Sequence, residues 1–417
     1  MRAYLAGLVL WPMGLQAAPA ADDAAPDAAA LALADATDAV AAAPRDWALA
    51  AELGFTVPRR RHGAALPREF RLSLDGRLDR RLAPGWRVVA ADRADARSYD
   101  DGRAQRSINT LKELYLGWQP APQLALDLGR INTRFGVATG FNPTDFFKAG
   151  ALRSVTSADP GSLRENRLGS GMLRGQWLWQ GGAFTAIYAP KLAGASSDSP
   201  FSLDGGASNP RERWLLVASH AFSPYFNPQW LLFGQAGQPV QAGFNWSVLL
   251  GDATVAYLEW AGGRMPALTA IDGPRAFRAS WAGGLTWTAP GKLSLTLEYQ
   301  RDGAAADEDG WAALRSSPMQ DYGRYRDEAD RRQALTTREA AMLFVRWQDA
   351  LINRLDLTGQ GRLDLIDDSR FYWLEARWRG ERTDLALQWH YNAGDAGSTY
   401  GAAAQRQVWQ LLATHYF

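Results

Sequence analysis

The 417-residue sequence contains no cysteine, four lysines and four histidines. Without cysteine the chain has neither disulfides nor thiol chemistry, which fits an exported protein that needs no redox help to fold. Arginine supplies nearly all of the basic charge, and 45 basic against 44 acidic residues give a net charge of +1, so nothing indicates a nucleic-acid partner. Beyond the N-terminus no apolar run reaches about 18 residues, which excludes helical membrane insertion.

Patterns of catalytic and metal-binding residues are also missing. His62, His220, His390 and His415 are far apart and lack paired-ligand spacing, so we expect no metal site. The sequence has no GxSxG motif, and Ser219, next to His220 on a predicted strand, faces the opposite side of that strand. We therefore predict that the protein is not an enzyme and uses no cofactor.

The first 44 residues predict export. Arg2 precedes a short apolar run, and the small residues of Ala18-Pro19-Ala20 precede a cleavage site, so residues 1–20 are predicted to be a signal peptide. Residues 21–44 are rich in alanine and aspartate and have almost no bulky side chains, which predicts a periplasmic tail. Residues 45–417 then form the folded domain.

From residue 70 onward, hydrophobicity alternates with a period of two. Between residues 292 and 300, apolar and aromatic side chains occupy one face and polar ones the other, and residues 71–78, 354–365 and 384–391 repeat the pattern. Sheets of soluble proteins alternate too, but their strands are typically about five or six residues long. The strands predicted here have about nine to twelve residues, the length that crosses a bilayer at a tilt.

Tryptophan is abundant, with 18 residues. Aromatic residues at the two water–lipid boundaries form the girdles of outer-membrane barrels. Because backbone polar groups have no partner in hydrocarbon, strands can span a membrane only as a closed barrel. The sequence therefore predicts an all-β fold, a transmembrane antiparallel β-barrel. The tryptophans at predicted strand ends are Trp118, Trp177, Trp179, Trp260, Trp287, Trp347, Trp378 and Trp389.

Short and long connections alternate between the predicted strands, as periplasmic turns and outer loops do in such barrels. About seventeen strands follow residue 70, and the first of them ends in a short turn. One more strand must therefore precede it, and residues 46–57 are the only candidate. The count is about eighteen strands, or sixteen if residues 229–250 hold fewer crossings.

The chain ends in an amphipathic strand whose last residue is Phe417. This end resembles the terminal strand that the barrel-assembly machinery recognises, although His415 departs from that pattern, which prefers a large apolar residue there. The resemblance implies that Phe417 is an assembly signal. It also implies the assembly machinery and outer-membrane lipid as partners.

Residues 129–154 hold the most distinctive segment of the sequence. A strand ends at Gly129-Arg130, and Gly136 and the turn Asn142-Pro143-Thr144-Asp145 follow. In this order the residues resemble porin-like channel barrels of Gram-negative outer membranes, in particular the alginate-export-like and uncharacterised porin-like families. The resemblance implies localisation in the outer membrane of a Gram-negative bacterium.

The connection 132–170 is too long and too aromatic for an ordinary loop. Pro143 stiffens the turn, and Phe141, Phe146 and Phe147 need a wall to pack on. A loop folded into the lumen supplies that wall, and we predict that its charged residues then project into the remaining gap and select solutes. The predicted constriction residues are Arg134, Asp145, Lys148, Arg153, Arg164, Glu165 and Arg167. An outer lid above an open barrel is the alternative.

The sequence thus predicts a porin-like channel that passes hydrophilic or amphipathic solutes across the outer membrane. One alternative is an export conduit for a polysaccharide or amphipathic product, which implies a periplasmic export partner. A plugged structural barrel is another, because acidic and basic residues are nearly equal in number. A barrel enzyme that acts on lipid is less favoured, since no nucleophile–base pair stands out.

Overall fold

The computed structural model describes residues 45–61, 63, 65–194 and 208–417. The predicted signal peptide, 1–20, and the predicted tail, 21–44, lie outside these residues. No helix in the described part of the chain is long and apolar enough to cross a membrane.

Eighteen antiparallel strands form one sheet. Each strand pairs with its neighbours in sequence, and β1 also pairs with β18, so the sheet closes into a barrel. The strands are β1 (Trp47–Arg60), β2 (Glu69–Ala83), β3 (Trp86–Tyr99), β4 (Arg106–Ala121), β5 (Leu124–Ile131), β6 (Ser170–Trp179), β7 (Gly182–Ala189), β8 (Arg213–His220), β9 (Gln229–Gln235), β10 (Gln241–Leu249), β11 (Thr254–Met265), β12 (Ala276–Thr288), β13 (Leu293–Asp302), β14 (Glu339–Trp347), β15 (Leu355–Asp364), β16 (Arg370–Arg379), β17 (Thr383–Ala393) and β18 (Gln405–Tyr416).

The predicted count of eighteen is confirmed, and the alternative of sixteen is wrong. Residues 229–250 hold two crossings, β9 and β10, joined by a short connection. The predicted first strand, residues 46–57, corresponds to β1 and runs three residues further.

The two faces of the sheet have opposite chemistry. In β13, Leu297 is 60% exposed, whereas its neighbours Glu298 and Gln300 are buried. The same holds in β17, where Leu387 is exposed and Gln388 is buried. An exposed apolar face around a closed sheet is what a bilayer requires, so the barrel is transmembrane, as predicted.

Eight of the nine exposed tryptophans of the described residues lie at one end of the barrel, where the short turns are, and the ninth is Trp409 of β18. Trp260 and Trp389 differ from the prediction, because they lie in the middle of β11 and β17 and not at strand ends. The exposed tryptophans near the short turns are Trp47, Trp86, Trp118, Trp177, Trp179, Trp230, Trp287 and Trp378.

We call the end of the barrel with the short turns the turn end, and the opposite end the loop end. Among the described residues, two loop-end connections contain helices. Residues 132–169 carry α1 (Pro160–Glu165), and residues 303–338 carry α2 (Glu308–Arg315) and α3 (Met319–Arg332). Trp311 of α2 and Tyr325 and Ala329 of α3 form a small buried core with Leu268, so the second of these connections is a packed helical loop.

Candidate functional site

The segment between β5 and β6, residues 132–169, is named the inner loop, and its bounds agree with the predicted loop to within one residue. Gln360 of β15 donates from Nε2 to the carbonyl of Ala158 at 2.6 Å. On another wall, Arg97 of β3 donates from Nη2 to Ser154 Oγ at 2.6 Å. One loop therefore contacts strands that lie far apart around the barrel.

A third wall holds the loop through Glu259, an inward-facing residue of β11 that is fully buried. Its carboxylate accepts hydrogen bonds from the backbone N–H of Val137 and Ala138, both at 3.0 Å, and from the N–H and hydroxyl of Thr144, both at 2.8 Å. Strands β3 and β11 are eight positions apart among eighteen. The inner loop thus lies across the lumen and not above the barrel.

Glu298 of β13 holds the next part of the loop in the same way. Its carboxylate accepts from the N–H of Thr139 at 2.7 Å, Gly140 at 3.0 Å and Phe141 at 3.1 Å. Tyr257 adds a hydroxyl donor at 2.6 Å. Because each of these carboxylates accepts several backbone N–H donors, Glu298 and Glu259 each fix a stretch of loop backbone.

Two glycines permit this close approach. A Cβ at Gly136, where φ is +101°, would lie 2.5 Å from the Glu259 carboxylate oxygens, and a Cβ at Gly140 would lie 2.5 Å from Gln300 Nε2. A larger residue at either position would force the loop or the facing side chains to shift. Gly136 belongs to the sequence motif, and the Glu259 carboxylate lies against the position that its Cβ would occupy.

The aromatic residues of the inner loop pack on the wall, as their cost in water predicts. Phe146 stacks on Phe233 of β9, with ring centroids 4.6 Å apart and planes at 4°. Phe147 is buried in an apolar cluster with Phe233 and Leu215. Phe141 packs against Tyr257 of β11, two strands further along the same wall.

Pro143 is half-buried in the turn that follows Phe141. Here the N–H of Asp145 donates to the carbonyl of Asn142 at 3.3 Å, and Asn142 Nδ2 donates to the carbonyl of Ala138 at 2.6 Å. The turn is therefore as firm as its sequence indicates.

Three predicted constriction residues, Asp145, Lys148 and Arg167, contact other parts of the inner loop. Asp145 and Arg167 are both buried and form an ion pair that joins the outgoing and returning limbs of the loop. Lys148 donates from Nζ to the carbonyl of Asn142 at 2.8 Å and lies 4.6 Å from the centre of the Phe141 ring. Burial lowers the pKa of Lys148 to about 8. The contacts of these three residues join parts of the inner loop that are separated in sequence or lie on its two limbs.

The other predicted constriction residues are half-buried. Arg164 donates to the carbonyl of Phe135 at 3.0 Å and so ties the two limbs together, and Arg134 lies near Arg164 and Glu165. Among the described residues, the side chains of Arg153 and Glu165 have no hydrogen bond or ion pair.

The helical loop 303–338 supports the inner loop from the loop end. Gln333, which ends α3 with a left-handed backbone (φ 51°), donates from Nε2 to the carbonyl of Lys148 at 2.6 Å. Its Oε1 accepts from Arg167 Nη2 at 3.1 Å, and the N–H of Gly150 donates to the carbonyl of Arg331 at 2.8 Å. One side chain thus joins both limbs of the inner loop to α3.

Three further arginines face the lumen from β14, β15 and β16: Arg346, Arg362 and Arg377. Arg362 Nε donates to Gln360 Oε1 at 3.1 Å, whereas Arg377 is held by Glu375 at 2.8 and 3.1 Å. Burial raises the pKa of Asp159, in the inner loop, and the nearby Arg346 opposes that shift. These three arginines do not stand out in the sequence, because any inward position of a barrel is expected to be polar.

The wall of β1 to β4 carries charges that neutralise one another. Glu52 pairs with Arg71 at 2.7 Å and with Arg93 at 3.0 Å, and Lys112 pairs with Asp75 at 2.7 Å. The near balance of acids and bases in the sequence therefore reflects pairing along this wall in part.

Phe417, the predicted assembly signal, lies outside the site at the turn end. It is half-exposed, its N–H donates to the carbonyl of Leu49 at 3.1 Å, and its ring meets that of His415 edge-on at 4.9 Å. Its role in assembly stays a prediction.

No set of three or more histidine, aspartate or glutamate side chains in the described residues is arranged to hold a metal ion. No protein-family model matches the sequence, and no curated protein matches it either.

Comparison with solved structures finds barrels of the same fold. Pseudomonas aeruginosa OpdL matches with a TM-score of 0.57 and 12% identity over 89% of this chain and 98% of that one. Acinetobacter baumannii OccAB1 matches with a TM-score of 0.54 and 11% identity over 89% and 96%. P. aeruginosa OccK2 (OpdF), solved in complex with glucuronate, matches with a TM-score of 0.54 and 11% identity over 89% and 97%. At these identities the likeness shows the fold.

Proposed function

We propose that this protein is a porin-like channel that passes small hydrophilic solutes across the outer membrane of a Gram-negative bacterium. The observation that carries the proposal is the inner loop, which crosses the lumen and is fixed to its walls by Glu259 and Glu298. A loop held in this way narrows a passage without moving, which is what a size- and charge-selective channel requires.

The solutes we propose are anionic. Arg153 is free of partners among the described residues, and Arg346 and Arg362 face the lumen on the opposite wall. Low-dielectric walls strengthen their field. The structural neighbours, which are outer-membrane porins, support the proposal, and one of them was solved with the anion glucuronate.

The alternative function is export of a polysaccharide or amphipathic product, which the resemblance to alginate-export-like barrels suggests. It requires a lumen wide enough for a polymer and a periplasmic partner. A loop tied to opposite walls leaves less room for a polymer, so we prefer small solutes.

Single-channel recording of the refolded protein in a planar bilayer tests the proposal. We expect stepwise currents, a reversal potential on the anion side in a salt gradient, and partial block by glucuronate. Replacing residues 132–169 by a short Gly-Ser link should raise conductance and flatten the selectivity. A wild-type protein without stepwise current would instead be a plugged barrel.

A further inference from the structure

A groove runs over the outward, lipid-facing side of the barrel between β18 and β4. Its volume is about 440 Å³, and its lining includes the outward side chains of Leu53, Phe70 and Leu411 and the small residues Ala96 and Ser98. Leu53 is 61% exposed and Phe70 is 52% exposed, so both stand above the sheet. The hollow arises because small residues on β3 lie beside large ones on β1, β2 and β18.

The strand register gives the direction of the groove. Leu411 is opposite Phe55, Phe55 is opposite Phe70, and Phe70 is opposite Ser98. This row is perpendicular to the strands, and barrel strands tilt by roughly 35–45°, so the row climbs obliquely over the wall. Leu411 lies in the middle of β18, whereas Ser98 is next to the loop end of β3. The groove thus leads from mid-height to the rim.

Exposed arginines lie at or next to the loop ends of the strands that line the groove. Arg59 and Arg60 end β1, Arg68 precedes β2, and Arg103 lies between β3 and β4. A register shift between Arg59 and Arg60 breaks the alternation that would send one of them into the lumen.

Two of these arginines have acidic neighbours. Arg68 Nε lies 3.8 Å from Asp100, and Arg103 pairs with Asp101 at 2.7 Å. In the described part of the chain Arg59 and Arg60 have no hydrogen-bond or ion-pair partner. The rim above the groove is therefore positive.

We propose that the groove and this rim form a binding site for a phosphate-bearing, acylated lipid of the leaflet at the loop end. One acyl chain lies in the groove, and a phosphate group accepts hydrogen bonds from Arg59 and Arg60. Guanidinium groups match phosphate oxygens with two parallel hydrogen bonds. A polar polymer would leave its own hydrogen-bonding groups against the apolar lining, whereas an acyl chain leaves none.

Retention of lipid by the intact barrel tests the site. The protein is placed in phosphatidylethanolamine nanodiscs doped with lipid A, and bound lipid A is counted by native mass spectrometry. We expect lipid A to stay on the wild-type barrel and the Arg59→Gln/Arg60→Gln variant to bind it about thirtyfold more weakly, since each arginine near a membrane surface contributes about 1 kcal/mol. Ser98→Leu, which fills the groove, should also weaken retention.

Controls come from the far side of the barrel. Arg370→Gln removes an exposed arginine at the loop end of β16, and Ala376→Leu adds a large residue to its outward face. Both should retain lipid A like the wild type. A gel-mobility shift on boiling verifies that every variant is folded.

Equal retention by the wild type, the double arginine variant and the controls would overturn the proposal. So would equal retention of lipid A and its dephosphorylated form, because the arginines would then recognise no phosphate. Channel currents should be the same in all variants, so this test is independent of the proposed transport function.

Discussion

Glu259 and Thr144 are joined by two hydrogen bonds of 2.8 Å, one from the backbone N–H of Thr144 and one from its hydroxyl, both to the same carboxylate oxygen. The two residues are separated by more than a hundred positions in the sequence. Their contact fixes the turn of the inner loop to the barrel wall.

Glu259→Gln should loosen the inner loop. The amide nitrogen would face N–H donors where a carboxylate oxygen accepts them now, and hydrogen bonds to a charged group are worth about 1.5–3 kcal/mol each. We expect noisy, fluctuating open-channel current with the barrel still folded. Glu339→Gln, at the loop end outside the site, is the matched control and should give quiet current. Quiet current from both variants would show that Glu259 does not hold the loop.

Arg153→Gln should move the reversal potential toward cations and change conductance little. The guanidinium has no partner among the described residues, so its charge is available to ions, and glutamine removes that charge with a smaller change in size. Asp145 and Arg167 neutralise each other. The double variant Asp145→Asn/Arg167→Gln should therefore keep the wild-type reversal potential. A reversal potential that moves in the double variant but not in Arg153→Gln would show that Arg153 does not set the selectivity.

Lys148 should make stability depend on pH in the alkaline range. Burial lowers its pKa from 10.5 to about 8. Between these two values the unfolded chain binds more protons at this group than the folded one, so the free energy of unfolding should rise with pH across that window. Because other groups also titrate there, the measurement is the difference in urea unfolding between the wild type and Lys148→Met. The free energies of unfolding of the two proteins should approach each other as pH rises from 8 to 10. A difference that stays constant with pH would contradict the lowered pKa of Lys148.

Gln333→Gly should uncouple the helical loop from the inner loop. Glycine accepts the left-handed backbone at this position, so only the side-chain bridge to Lys148 and Arg167 is lost. We expect more current noise at an unchanged unfolding temperature. Gln320→Ala, on the exposed surface of the same helix, should behave like the wild type. A drop in unfolding temperature without added noise would mean that Gln333 serves the helical loop alone.

An arginine substitution should destabilise the barrel more on its lipid face than on its lumen face. Leu387→Arg, at an exposed apolar position of β17, should cost roughly 2–4 kcal/mol near mid-membrane. Thr358→Arg, at a half-buried inward position of β15, should cost much less, because water reaches the lumen. Refolding titrations in lipid vesicles measure both, and equal costs would mean that the in–out register is wrong.

The sequence by itself determined the barrel. Alternation such as that of Leu297 and Glu298 determines which face of a strand contacts lipid. Because a bilayer accepts strands only in a closed sheet, the local hydrophobic pattern is sufficient to predict a barrel. The parity of turns and loops then favoured eighteen strands but left sixteen open, and the structure decided for eighteen because residues 229–250 hold both β9 and β10. The need of Phe146 and Phe147 for an apolar wall likewise indicated an inward loop, and both pack on the inner wall at β8 and β9.

Only the tertiary structure decided which charges hold the loop and which remain free. In the sequence, Asp145, Lys148 and Arg153 are all charged residues of one loop, and nothing local distinguishes them. In the structure, Asp145 pairs with the returning limb and Lys148 donates to a loop carbonyl, whereas Arg153 has no partner in the described part of the chain. Glu259 and Glu298 are ordinary inward positions in sequence. Their role exists because closing the sheet brings β11 and β13 within hydrogen-bond distance of a loop that begins at β5, and no local pattern encodes a contact between segments so far apart.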